Sequence, residues 1–171
     1  NLQTDAIING SIYCDGEVLV RSGRGSIIGG QIWAAEKVSA TTIGSKAECR
    51  TSITLGGLPC TNFERELVRK ELKELESELE RLECQLDSPV KASLISKVRV
   101  KLNTAELRLQ HLEEDLEDIQ EELRRLEENG RLECGVAYAG TEIRIGDETV
   151  RLRQENRQCI AKMMCGEIVV M

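Results

Sequence analysis

The chain has 171 residues, 23 basic and 30 acidic side chains for a net charge of −7, and 40% hydrophobic but only 2% aromatic residues. That balance excludes a general affinity for nucleic acid, which needs clustered Lys and Arg on phosphates, and no apolar run is long enough to span a membrane. The length suits one domain, or one domain with an appendage, whose core must be filled by Ile, Val, Leu and Ala.

The opening, NLQTDAII, has no initiating Met, no basic n-region and no apolar h-region. It is not a signal peptide, and its abrupt entry into repeat sequence creates the expectation of a fragment with further sequence upstream. Residues 1–60 then carry an internal echo. AIINGSIYCDGEVLV (6–20) and SIIGGQIWAAEKVSA (26–40) align at a period of twenty. Ile8 meets Ile28, Gly10 meets Gly30, Ile12 meets Ile32, Cys14 meets Ala34, Val18 meets Val38 and Val20 meets Ala40. All are even-numbered, and a strand points alternate side chains to opposite faces, so one shared inward face is expected. Ser11/Gln31 and Glu17/Lys37 fall on the face suited to water. A fixed period with inward branched residues predicts a stacked solenoid, in which each coil buries its neighbour's face. Glycines at 10, 16, 23, 25, 29 and 30 mark the corners. A looser third coil is expected through TTIGSKAECRTSITLGG, with Ile43, Ile53 and Leu55 inward. A plain antiparallel sandwich also alternates, but does not require the echo.

Tyr13 and Trp33 occupy equivalent outward positions, so coils in register stack one ring on the other. Either they form a simple cross-coil pair, or they make an aromatic docking patch.

Residues 61–129 change character. They hold 12 basic and 19 acidic side chains, a net of −7, which leaves the rest of the chain neutral. Apolar residues run Val68, Leu72, Leu75, Leu79, Leu82, Leu86, in steps of a heptad seam. DSP (87–89) follows. A second seam runs Leu102, Ala105, Leu109, Leu112, Leu116, Ile119, Leu123, Leu126, and ENG ends it with Gly130 placed for a left-handed C′ position. Helices over 61–86 and 103–129 predict an antiparallel coiled-coil hairpin about 38 Å long, with a tip at about 87–102. The tip is either a short separate helix or a continuation of the second arm. A two-helix seam leaves its flanks open, to be covered by a second copy in a homodimer or by the β-helix. Lys91, Lys97, Arg99 and Lys101 lie in the tip with no acid among them, so the tip is either a solvated turn or a basic contact for an acidic partner.

Residues 130–171 return to Gly, Ile and Val. Ile143 and Ile145 alternate with Glu142 and Arg144, Val150 and Leu152 alternate after a GDE turn, and EIVVM reads as a last strand. These strands either continue the solenoid or cap its edge. The organisation is thus β-helix coils over 1–60, a hairpin insertion over 61–129, and return strands over 130–171.

The inventory for chemistry is short. Seven cysteines at irregular spacing, with no CxxC pair, read as free thiols of a reducing cytosol. GRGSIIGG (23–30) lacks the GK[ST] of a phosphate loop. The one histidine, His111, lies beside the second seam with no nucleophile near it in sequence. No catalytic, metal-binding or cofactor-binding residue is identified, and no cofactor is implied.

The order GSIIGGQIWAAEKVSATTIGS, TSITLG, a Leu/Glu hairpin, then GVAYAGTEIRIGD and a closing strand resembles the flagellar assembly protein A family. The resemblance implies a mixed β and α fold: a right-handed parallel β-helix, or solenoid, with an inserted antiparallel coiled-coil hairpin. It implies a bacterial, cytoplasmic, non-enzymatic scaffold or regulatory module working through protein partners, with no family catalytic residues to carry over. This chain has Ala139–Gly140 where the family usually has Pro-Gly. Two other readings compete: a hexapeptide-repeat acyltransferase, whose six-residue beat and catalytic His are not sustained here, and a bactofilin-like self-assembling β-helix.

Overall fold

Alternating branched and polar residues take the chain into strands almost from its first residue. The computed structural model describes residues 1–84 and 88–171, and of Gln120 only the backbone. Before the helices come β1 (Leu2–Gln3), β2 (Ala6–Cys14), β3 (Glu17–Val20), β4 (Ser26–Ala34), β5 (Lys37–Ile43) and β6 (Thr51–Leu55). The helices are α1 (Pro59–Glu83), α2 (Pro89–Asp118) and α3 (Gln120–Asn129). After them come β7 (Arg131–Ala137), β8 (Thr141–Ile145), β9 (Glu148–Arg151), β10 (Asn156–Met164) and β11 (Glu167–Val170). Packing groups Asn1–Cys60 with Gln120–Met171 in one unit and Thr61–Ile119 in another.

In the first unit all the strands join one eleven-stranded sheet. The parallel ladder stacks like on like. Ile12 stands opposite Ile32, Ile32 opposite Ile53, and Ile53 opposite Ile143. A second column runs Val18, Val38, Leu132 and Ala161. Ile32, Ile53, Ile143, Val18, Val38, Leu132 and Ala161 are fully buried. Ile12 is only half-buried, because a rung lies on one side of it within the described chain. Each interior Ile or Leu contributes about 1.5–3 kcal/mol by leaving water.

One part of the repeat faces the other way from the sequence expectation. Ile8 and Ile28 are in register, yet Ile8 is 65% exposed, and the interior positions are Ile7 and Ile27. Between these and Ile12/Ile32 the backbone turns left-handed, at Asn9 (φ 50°), Gly29 (φ 69°) and Gly30 (φ 84°). A left-handed residue breaks the period of two, so odd positions face inward before the corner and even positions after it. The amide of Gly29 is taken by the Oγ1 of buried Thr51, at 2.9 Å. A Cβ on Gly30 would lie 2.2 Å from the Gly10 carbonyl oxygen, so this corner admits no side chain. As the third coil predicts, Ile43, Ile53 and Leu55 all face inward.

The helices enter at one specific corner. Cys14 passes to Glu17 through Asp15–Gly16, and Ala34 passes to Lys37 through Ala35–Glu36. At the next rung Leu55 and Arg131 hold the corresponding places, opposite Ala34 and Lys37, with residues 56–130 between them. The ladder is unbroken across the gap: the Gly56 amide donates to Ala34 O and the Arg131 amide to Glu36 O, both at 3.0 Å. Gly130 closes the insertion, but its φ is not left-handed. Its need is space, since a Cβ there would lie 3.1 Å from Leu55 Cβ and 3.2 Å from Ile145 Cγ2.

The last strands reverse direction. β9 pairs antiparallel with β8, β10 with β7, and β11 with β10. They therefore close the ladder with hairpins instead of adding parallel rungs.

In the second unit the two seams meet. Val68, Leu75 and Leu82 of α1 form a buried cluster with Val98, Leu102 and Ala105 of α2, flanked by half-buried Leu72, Leu79, Ile95, Leu109 and Leu112. Cross-helix ion pairs join Glu83 to Arg99, Arg69 to Glu113 and Glu64 to Arg108. Early positions of α1 thus face late positions of α2, and the helices run in opposite directions. The second arm is longer at its start than the heptad count predicts. Ser88 is its N-cap, accepting the Lys91 amide at 3.1 Å, and Pro89 supplies a pre-set first turn. The tip is therefore no separate helix from Pro89 onward. Leu86 and Asp87 lie outside the described residues. The predicted second arm also breaks at Ile119 (φ −108°, ψ 17°), and α3 packs with the β unit.

Candidate interaction surfaces

The aromatic pair lies where two equal rungs place it. Tyr13 opposes Trp33 on β2 and β4, and the rings stack with centroids 4.5 Å apart and planes 4° from parallel. That spacing is close to the distance between neighbouring strands. The ladder thus dictates the face-to-face geometry, with about 0.5–1.5 kcal/mol expected from the contact. Both rings are half-buried. The outward column continues with Thr54 and Arg144, and exposed Ser11 and Gln31 lie two residues before the rings. The result is an amphipathic strip with two apolar faces and a polar border.

The four basic residues of the predicted tip all fall on α2, but they are not equivalent. The Lys91 ammonium donates to the Glu83 backbone carbonyl at 3.0 Å, and Arg99 pairs with the Glu83 carboxylate at 3.2 Å. These two tie α2 back to the end of α1. Lys97 and Lys101 are exposed. Sequence reading missed their neighbours, Val90 (68% exposed) and Leu94 (41% exposed). Residues 90, 94, 97 and 101 follow steps of 4, 3 and 4, so they line one helical face. That stripe was legible as a second heptad offset from the seam. It was obscured because the sequence left open whether the tip is a separate helix or the start of the second arm.

Elsewhere, charged and nucleophilic groups serve the frame. Glu133 accepts Lys37 at 2.8 Å, Arg131 at 2.8 Å and Arg21 at 3.2 Å. The Lys37 hydrogen bond, with the charges of all three cations, holds its carboxyl below the usual range against the opposing effect of desolvation. Arg21 also donates to buried Ser39 at 2.6 Å. This cluster fastens the outer faces of β3, β5 and β7. Asp15 accepts the Cys60 amide at 2.7 Å in the first turn of α1. Burial and then the Asp15 charge push the Cys60 thiol up, the opposite of what an activated nucleophile needs. Cys134 and Cys159 are buried opposite each other on β7 and β10. His111 is exposed on α2. Among the described residues no group of three or more His, Cys, Asp or Glu is placed to hold a metal ion, and no helix is long and apolar enough to cross a membrane.

Against known families, residues 1–168 match the model described as the flagellar assembly protein A beta solenoid domain. No curated protein and no solved structure matches the chain.

Proposed function

Because the chain belongs to the flagellar assembly protein A beta solenoid family, we propose that it is a non-enzymatic scaffold or regulatory module of bacterial flagellar assembly, acting in the cytoplasm through protein contacts. On this reading the stacked rungs form a right-handed platform. Residues 61–129, built around an antiparallel coiled coil, are a contact element carried by it. One observation supports this division above others. Leu55 and Arg131 keep their places in the ladder across the whole insertion. The rungs on the two sides of the insertion are in register, which supports a role beyond folding for Thr61–Ile119.

Two surfaces are the proposed contacts. The Tyr13–Trp33 strip suits a partner offering a flat or aromatic side chain. The Val90, Leu94, Lys97 and Lys101 stripe suits an acidic amphipathic helix, whose apolar residues meet the first pair and whose carboxylates meet the second. The acyltransferase reading draws no support, since His111 sits on α2 and not on a strand.

The test replaces Thr61–Ile119, the second packing unit, by a flexible Gly-Ser linker and keeps α3 with the β unit. The shortened protein should keep its β-sheet circular dichroism and a cooperative melt. In the organism that encodes the chain, it should fail to restore flagellation to a deletion strain that the full chain rescues. Lys97→Glu with Lys101→Glu should impair rescue without changing the melt. Equal rescue by the shortened protein, or turnover of a small substrate by the purified chain, counts against the proposal. Growth of the sedimenting species with concentration, without limit, would favour the self-assembling reading instead.

A further inference from the structure

The column that begins with Val20 and Ala40 changes chemistry at its end. Ala40 stands opposite Cys134 on β7, and Cys134 opposite Cys159 on β10. Both thiols belong to the interior, at 7% and 0% exposure. Two small apolar side chains would fill this position equally well, as Ala161 does two residues later on β10. A facing pair of cysteines adds something alanine cannot. Directly opposed residues of antiparallel strands have Cα atoms about 4.5–5.5 Å apart, inside the window of about 4.4–6.8 Å that a disulfide needs. Their register as direct partners thus places the two cysteines in the positions a cross-strand disulfide requires.

The corner beside them is loosely paired. The register of β10 on β7 passes from Arg157↔Val136 to Cys159↔Cys134, leaving Gln158 (φ 52°) and Gly135 out of the ladder. An open groove of about 710 Å³ runs past Thr41, Gly135 and Gln158 and reaches both cysteines. Gly135 has no side chain to cover it.

We propose that Cys134 and Cys159 are a reversible redox pair, oxidised by hydrogen peroxide to a cross-strand disulfide that staples the closing strands β10 and β11 to β7. One of the two thiols, as its thiolate, attacks one peroxide oxygen, and the O–O bond breaks. This leaves a sulfenic acid, and the departing hydroxide takes a proton to become water. The facing thiol then attacks that sulfur. The S–S bond forms, the S–O bond breaks, and the oxygen leaves as a second water with the proton of the second thiol. The two thiols lose two electrons and two protons, and the peroxide is reduced to two waters. A dithiol reductant reverses the process.

The experiment uses the full chain with the exposed cysteines replaced, C60S/C84S/C165S. The native protein is treated with hydrogen peroxide, alkylated, digested without reductant and analysed by mass spectrometry. The expected result is a linked peptide pair containing Cys134 and Cys159, with two hydrogens lost per chain. The melting temperature should rise by about 5–10 °C, from closure of the loop between residues 134 and 159, and dithiothreitol should return it. Cys134→Ala in the same background should show neither change. The mass measurement does not depend on that variant folding. The proposal is overturned if both thiols remain open to alkylation after peroxide, if the link forms only in denaturant, or if oxidation lowers the melting temperature.

Discussion

The two packing units bury the same kind of side chain by different means. In the β unit Ile32, Ile53 and Ile143 have a paired strand on either side, and their exposure is 0%. In the helical unit each seam residue has a single partner helix. Val68, Leu75 and Leu82 reach 2%, 7% and 6% exposure, while Leu72 and Leu79 remain half-buried. A closed stack surrounds its core, whereas a pair of helices covers one stripe and leaves its flank to water. The β unit is thus the more brittle of the two. The helical unit yields more readily to change at its margins and has apolar surface left over for contacts.

Substitutions can break or sharpen this contrast. Ile32→Asp should have the largest effect: an unpaired carboxylate among Ile12, Ile53 and neighbouring rungs costs about 4 kcal/mol or more. The β-sheet circular dichroism should be lost at ambient temperature. Leu75→Asp should cost about 2–4 kcal/mol within the helical unit, lowering helical ellipticity while the β signal persists. If either variant abolishes both signals together, the two units are not independent and the contrast fails. Gly130→Ala should cost about 1–3 kcal/mol, because its Cβ presses on Leu55 and Ile145. It should be felt in the melt of the β unit alone.

The smallest effect concerns pH. The folded-state carboxyl of Glu133 is held low by Lys37, Arg131 and Arg21. Its contribution is therefore present above the unfolded value of about 4.3 and lost as pH falls through the lower folded value. Glu133→Gln should flatten that acid limb and cost about 1 kcal/mol or less at neutral pH. A variant with the unchanged acid limb would show that another carboxylate carries it.

Much of the β unit could be read in advance. The twenty-residue echo placed Ile12 over Ile32 and Tyr13 over Trp33, and both pairs are in register. The same rule misplaced Ile8, because it carried the alternation straight through a corner. Asn9–Gly10 and Gly29–Gly30 are turn dipeptides, but the pattern of apolar residues does not say that the face is exchanged there. The heptads marked the helical seam but not its limits. Ser88–Pro89 is a start signal that the helix uses, and the break at Ile119 interrupts a heptad that continues in sequence through Leu126. Of the candidate contacts, the four basic residues were visible as a run without acids. Their division into two that brace Glu83 and two that share a face with Val90 and Leu94 depended on where α2 begins.

The amino-acid sequence by itself determined which side chains must leave water and at what period, since both follow from local alternation and from a composition poor in aromatics. It also determined that a Leu/Glu block interrupts the coils. Tertiary structure decided which residue of Ile7 and Ile8 faces inward, that the block enters at a two-residue corner, and that Cys134 meets Cys159. The physical reason is that alternation is local and can be reversed by one left-handed residue. A cross-strand partner, by contrast, is fixed by the return of a distant segment, whose register depends on every corner in between.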